Sequence, residues 1–210
     1  MDRVKLLTEF ILQSDLIEFI NDNRSLLEEE ILAGKKDGHV GAILYLELLA
    51  ENKNHFLEET DIKKAQGLIT EEQGKKDILL KMEPKYIGNY RDVEIRVEYT
   101  VKRAKPEEIA PKMRELVSRM QNWQKSCAES AEEHNIASIA DLYFDFETIH
   151  PFVDGNGRTG RAIVFYLMRY YGCDPFIFYA EDKYVMHFPA LRNQERVVMR
   201  KYFYEKSGLI

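Results

Sequence analysis

Cysteine is nearly absent: Cys127 and Cys173 are the only two in 210 residues. Two thiols make neither a disulfide framework nor a metal-ligand spacing, which sets aside a stapled secreted scaffold and a zinc module. Inert thiols in a reducing compartment are the expectation. Proline is scarce, at six residues, and no Pro-rich or Gly/Ser-rich tract, repeat or linker divides the chain. No apolar run reaches the length of a membrane span, and the opening MDRVKLLTEF lacks the apolar core of a signal peptide. No membrane is expected as a partner, and the cytoplasm is the expected compartment. Positive charge is also short. A formal charge of −6 offers no basic surface to displace counterions from a duplex, so nucleic acid is not an expected partner. What remains is 45% hydrophobic and 31% charged, the balance of an ordinary folded chain long enough for one real core.

Hydrophobic spacing makes the chain mainly helical. Val4–Asn21 places Leu6, Leu7, Phe10, Ile11, Leu16, Ile17 and Ile20 at helical intervals, and Val40–Leu57 does the same. Thr60 and Asp61 read as the start of a short helix ending near Gly67. Thr70-Glu71-Glu72-Gln73 reads as a capping box opening another, to Met82. Pro106–Ala131 gathers Ile109, Met113, Leu116, Val117, Met120 and Trp123 on one face. Ser138–Thr148 and Ala190–Glu205 complete the set. Tyr86–Lys105 is the exception. After a Gly88-Asn89 turn, Val93, Ile95 and Val97 alternate with Glu94, Arg96 and Glu98, which predicts a strand or short β-hairpin.

The richest stretch is His150-Pro-Phe-Val-Asp-Gly-Asn-Gly-Arg-Thr-Gly-Arg161. It combines an imidazole, a carboxylate, an amide, three glycines and two guanidiniums, and apolar sequence continues to Tyr171. Gly155 and Gly157 let backbone N–H groups converge on an anion. A helix starting behind this turn adds its unpaired N–H groups and dipole, which favour a phosphate. Imidazole suits general-base work near neutral pH, typically about 10²–10⁴ in rate. Asp154 is a hard oxygen donor of the kind Mg²⁺ takes together with phosphate oxygens. Arg158 and Arg161, three residues apart, reach the same side of a helix and suit forked phosphate contacts. His39, His55, His134 and His187 have no metal spacing and are given no role.

This run resembles the signature of the Fic family, His-Pro-Phe-x-(Asp/Glu)-Gly-Asn-(Gly/Lys)-Arg-x-x-Arg, at every specified position. The resemblance implies a single-domain, mainly α Fic-type helical bundle with a small β-hairpin flap beside the active site. Residues 1–60 would form an N-terminal helical region and 61–210 the catalytic core, with the flap at about 86–105 and the active-site loop at 150–161. It implies an AMP-transferring enzyme, a protein adenylyltransferase using Mg²⁺ and ATP on a Tyr, Thr or Ser hydroxyl of a target protein docked by the flap. His150 would be the catalytic base and Asp154 the metal ligand. Gly155, Asn156, Gly157, Arg158 and Arg161 would bind nucleotide, the Asn156 amide donating to the α-phosphate and Arg161 holding the γ-phosphate. Pro151 and Phe152 would fix and anchor the turn, and Gly160 would allow close packing.

Many Fic proteins also carry an inhibitory helix with Ser/Thr-x-x-x-Glu-Gly/Asn. Ser14-Asp15-Leu16-Ile17-Glu18 fits the first five positions, but Phe19 stands where Gly or Asn is expected. Glu18, with Ser14, is therefore the expected inhibitory pair, its carboxylate blocking Arg161. Removal of AMP from a modified protein, with a glutamate helping to activate water, is an alternative on the same residues. A nucleotide-responsive interaction module with little catalysis is the alternative from another class. Homodimerisation stays open: Tyr179, Tyr184, Phe188, Tyr202, Phe203 and Tyr204 form either core or a dimer surface, and core is the favoured reading.

Overall fold

Residues 2–76, 82–95 and 103–210 are described in the computed structural model. The helices are α1 (Arg3–Ile17), α2 (Arg24–Leu32), α3 (Gly38–Glu51), α4 (Glu59–Lys76), α5 (Pro106–Ser126), α6 (Glu132–Ile149), α7 (Asn156–Tyr171), α8 (Phe188–Arg192) and α9 (Arg196–Lys206). Short 3₁₀ turns lie at Pro84–Tyr86, Cys127–Glu129 and Ala180–Asp182, and a π turn at Lys183–His187 leads into α8. No described helix is long and apolar enough to cross a membrane.

The bundle is organised around α7. From Thr159 to Met168 every residue of this helix is buried, because α3, α6, α4, α1 and α5 all pack against it. Its apolar run from Ala162 to Met168 joins a single buried cluster that draws residues from all nine helices, Leu6 of α1 through Phe203 of α9. That cluster runs without a break across residue 60. Phe10 of α1 meets Phe165 of α7 edge-on at 5.1 Å. Displacing a helix buried on all sides would disrupt the close-packed core, so the loop in front of α7 has a rigid base. Tyr202 and Phe203 are core, packed with Phe176, Phe178 and Tyr143, whereas Tyr179 and Tyr184 are exposed.

Several boundaries differ from the sequence expectation. The stretch from residue 59 to 76 is one helix, not two: Gly67 lies inside α4 facing Gly88. Thr70 does not open a helix, because its hydroxyl donates to the Gln66 carbonyl one turn back. The expected continuation to Met82 crosses residues 77–81, which lie outside the described set. α2 was not anticipated. Its sequence is polar, but Leu27 and Ile31, four apart, are buried against the core, and Asn23 caps it by accepting from the Leu26 N–H.

The β-hairpin flap is overturned: there is no strand or sheet among the described residues. Pro84–Tyr86 is a 3₁₀ turn, Gly88 turns the chain at φ +68°, and neither 91–95 nor 103–105 enters a ladder. The remainder of the expected flap, residues 96–102, lies outside the described set. The physical reason is visible at both ends. The carbonyls of Val93 and Ala104, which a hairpin would pair with backbone N–H groups, accept instead from the Arg91 guanidinium. Two strands alone are marginal in any case.

Candidate functional site

The site forms where α6 ends and α7 begins. His150 terminates α6 with its backbone in the left-handed region, φ +52°, a conformation uncommon outside glycine. Its N–H still donates to the Phe146 carbonyl at 2.9 Å. Phe152, fully buried, anchors the loop between Tyr90 and Phe146. Gly155 caps α7 at φ +77°, and a side chain there would collide with Thr70 at 2.8 Å. Thr159 N–H makes the first bond of the helix, to the Gly155 carbonyl at 2.9 Å. The N–H groups of Asn156, Gly157 and Arg158 precede it and are the first-turn donors an anion uses.

Asn156 makes contacts within the loop that the sequence does not predict. Its Oδ1 accepts from the Phe152 N–H and its Nδ2 donates to the Phe152 carbonyl, both at 2.9 Å. Buried at 3% exposure, it closes the 152–156 loop. Asp154 stands exposed beside it, and its Oδ1 accepts from the Gly155 N–H at 2.6 Å. Among the described residues no group of three His, Cys, Asp or Glu is placed to hold a metal. A lone exposed carboxylate fits a Mg²⁺ ion that keeps its waters and takes phosphate oxygens, rather than a protein cage. Gly160 lets α6 and α7 touch: a Cβ there would lie 2.5 Å from Glu147 Oε1 and 3.0 Å from Tyr143.

Arg158 and Arg161, in the first two turns of α7, both reach residues of α1. Arg161, at 1% exposure, donates to Ser14 Oγ at 2.8 Å, to the Ser14 carbonyl at 2.9 Å and to Glu18 Oε1 at 2.7 Å. Burial works against its charge, and Glu18 and Tyr143 outweigh that to raise its pKa. A Cβ on Gly157 would sit 2.4 Å from Glu18 Oε1, so this glycine makes room for the carboxylate. Phe19 has φ +61°. The chain therefore adopts the left-handed turn that Gly or Asn provides cheaply, with a phenylalanine in that place. Lys183 holds the turn, donating to the Ile17 carbonyl with its ammonium 4.1 Å above the Phe19 ring.

Residues to which the sequence reading gives no role gather around these. Arg158 donates to Gln73 Oε1 and lies 3.9 Å from Asp15 Oδ1. Asp15 in turn is bonded by His39 Nδ1 at 2.9 Å. Burial pushes the Asp15 pKa up, but the charge and hydrogen bond of His39, helped by Arg158, bring it down to about 2. Gln66 joins the loop to Gly88, donating to the Asp154 carbonyl at 3.1 Å and accepting from the Gly88 N–H at 2.6 Å. Glu147 lies one turn before His150, its Oε2 3.7 Å from Nδ1; their i, i+3 spacing is the one signal that a helix reading could have used. His55 bonds Asp61 at 2.8 Å, outside the site. Cys127 and Cys173 are free thiols whose pKa values burial raises, Cys173 to about 11.

Comparison with known proteins gives the same outline. The model described as Fic/DOC family matches residues 56–168. The protein adenylyltransferase Fic of Drosophila virilis is 36% identical over 81 residues, 38% of this chain and 16% of that protein. Its counterpart from Drosophila mojavensis is 34% identical over 80 residues, with the same coverage. The matched stretch thus spans about a sixth of the length of these curated relatives. A Fic domain containing signaling protein from Bacteroides thetaiotaomicron shares the fold, with a TM-score of 0.74 at 20% identity over 97% of this chain and 84% of that one. Fic-1 from C. elegans superposes with a TM-score of 0.66 at 17% identity, covering 99% of this chain and 61% of the other.

Proposed function

Since this chain belongs to the Fic/DOC family, we propose that it is a protein adenylyltransferase, held in check by Glu18. The observation that carries the reading is the convergence of His150, the first-turn N–H groups of α7, Arg158 and Arg161 at one helix junction. In the proposed reaction the target hydroxyl gives its proton to the His150 imidazole. Its oxygen bonds to the α-phosphorus of ATP, the bond from that phosphorus to the bridging oxygen breaks, and pyrophosphate leaves. The α7 N–H groups face the charge that develops on the phosphoryl oxygens; losing one such donor commonly costs about 10²–10³ in rate. Arg158 and Arg161 take the outer phosphates. A Mg²⁺ held by Asp154 would neutralise phosphate charge when bound. The target protein and the compartment are part of the proposal, with the cytoplasm as the expected setting.

The check on activity follows from one contact. Arg161 cannot serve both Glu18 and a γ-phosphate, and Glu18 occupies it at 2.7 Å. Holding activity down a hundredfold requires the closed state to be favoured by about 2.7 kcal/mol. A charge-assisted pair around a buried guanidinium, supported by Ser14, is of that order. The test is labelling with ATP carrying ³²P at the α position, with Mg²⁺ and cell lysate. Strong labelling by Glu18→Gly, weak labelling by the unaltered chain and none by Glu18→Gly/His150→Ala is the expected result. ATP binding without transfer in all three would defeat it.

A further inference from the structure

Arg91 has no part in the reaction as written, yet it is built into the site more thoroughly than residues that do. It is 3% exposed, and its guanidinium is spent on backbone carbonyls. Nε donates to His150 O at 2.9 Å, Nη1 to Val93 O at 2.9 Å and Nη2 to Ala104 O at 2.6 Å. Its own backbone N–H donates to Pro151 O at 2.9 Å. Burial and the nearby charge of Arg103 depress its pKa, with Glu94 offsetting part of this. A cation this deep is costly to keep unless its donors are all used for something rigid.

What it grips is the base itself. His150 leaves α6 in a left-handed conformation that a β-carbon disfavours, and the next two peptide carbonyls, 150 and 151, are both fixed by Arg91. Released from that grip, the backbone can return to an ordinary helical or extended φ, and the ring swings with it. We propose that Arg91 is a positioning residue for His150, holding the imidazole at the angle from which it takes the substrate proton. Val93 and Ala104 anchor the guanidinium from the other side, so the clamp is a three-point support. The inference rests on the adenylyltransferase reading for its kinetic form, but its geometric form stands alone. A displacement of about 1 Å in a positioned catalytic group costs up to about a hundredfold in rate.

The experiment uses the Glu18→Gly chain as parent, with Arg91→Lys and Arg91→Gln added. Lysine keeps the charge but cannot reach three carbonyls from one planar group. Ile136→Val, buried near the start of α6 and at the opposite end of that helix from His150, serves as a control for plain loss of stability. The expected result is a ten- to hundredfold fall in kcat with KM for ATP within about twofold, since Arg91 touches neither Arg158 nor Arg161. The NMR signal of the His150 ring, assigned with His150→Gln, should shift in Arg91→Lys while that of His134 stays. An unshifted His150 signal overturns the proposal whatever the rates do. So does a fall in kcat and ATP affinity together, in proportion to the loss of Tm. If the Glu18→Gly parent transfers no AMP, the adenylyltransferase reading fails, and the His150 signal alone decides the role of Arg91.

Discussion

Arg158 and Arg161 lie one turn apart on α7 and both are met by α1, but their partners are held in different ways. Asp15, 3.9 Å from Arg158, has a side chain only 3% exposed and is bonded from α3 by His39. Glu18, 2.7 Å from Arg161, is 33% exposed and sits at the end of α1, where the helix gives way to the Phe19 turn. The first acid is fastened from a second helix and belongs to the core. The second is fastened by Arg161, so it can leave without exposing buried apolar surface. An inhibitory contact of the kind proposed has to be strong enough to close the site and detached enough to open it, and of these two acids Glu18 is the one that meets both demands.

Asp15→Asn is the change expected to cost most, and it should act on stability rather than on inhibition. Breaking one partner out of a buried charged pair costs about 3–5 kcal/mol, which chemical denaturation would read directly. The same residue sets a pH window. Its folded pKa lies below the ordinary aspartate value, at about 2, so its contribution is complete above the unfolded value near 3.8 and is lost as pH falls toward 2. Stability of the unaltered chain should therefore decline across pH 4 to 2 by more than that of Asp15→Asn. Equal declines would place the support of α1 elsewhere.

Glu18→Gly should do the reverse. It should cost at most the roughly 2.7 kcal/mol of the closed contact in stability, less than Asp15→Asn, and raise labelling about a hundredfold, the same free energy expressed as rate. If Glu18→Gly unfolds the chain as readily as Asp15→Asn does, the contrast between the two acids is false. Gly157→Ala sharpens the same point. The added methyl would meet Glu18 Oε1 at 2.4 Å, and the flexible carboxylate is what gives way. Roughly tenfold release of labelling, about 1.4 kcal/mol, is expected in the unaltered background, and no gain in the Glu18→Gly background. A gain in both would trace the effect to the phosphate turn instead.

What the sequence disclosed divides along the same line between local and distant. The run from His150 to Arg161 is contiguous, so its residue types and spacing are enough to place a helix starting behind the Gly-rich turn. Ser14 and Glu18 were reachable because both ends of their motif lie on one helical turn. Asp15 and His39 were not, being 24 residues apart in chain with nothing periodic to link them. Arg91 was hidden for another reason. The alternation from Val93 to Val97 predicts a strand, and only the fold reveals that the carbonyls of Val93 and Ala104 are satisfied by a side chain. Asn156 shows the limit within the motif itself: its position was legible, but not that its amide is engaged with Phe152.

The smallest effect belongs to Phe19. Its left-handed turn costs roughly 1–2 kcal/mol for a residue with a β-carbon, and Asn tolerates that region better. Against this stands the contact of its ring with Lys183 at 4.1 Å, worth about 0.5–1 kcal/mol at an exposed site. The two nearly offset, so Phe19→Asn should stabilise the chain by less than about 1 kcal/mol, a rise in Tm of at most roughly 2–4 °C. Because the turn presents Glu18 to Arg161, basal labelling should fall slightly at the same time. A lower Tm with higher labelling would mean that the ring and Lys183, rather than the backbone turn, hold the end of α1 in place, and that this chain has exchanged a glycine's conformational freedom for a side-chain clasp.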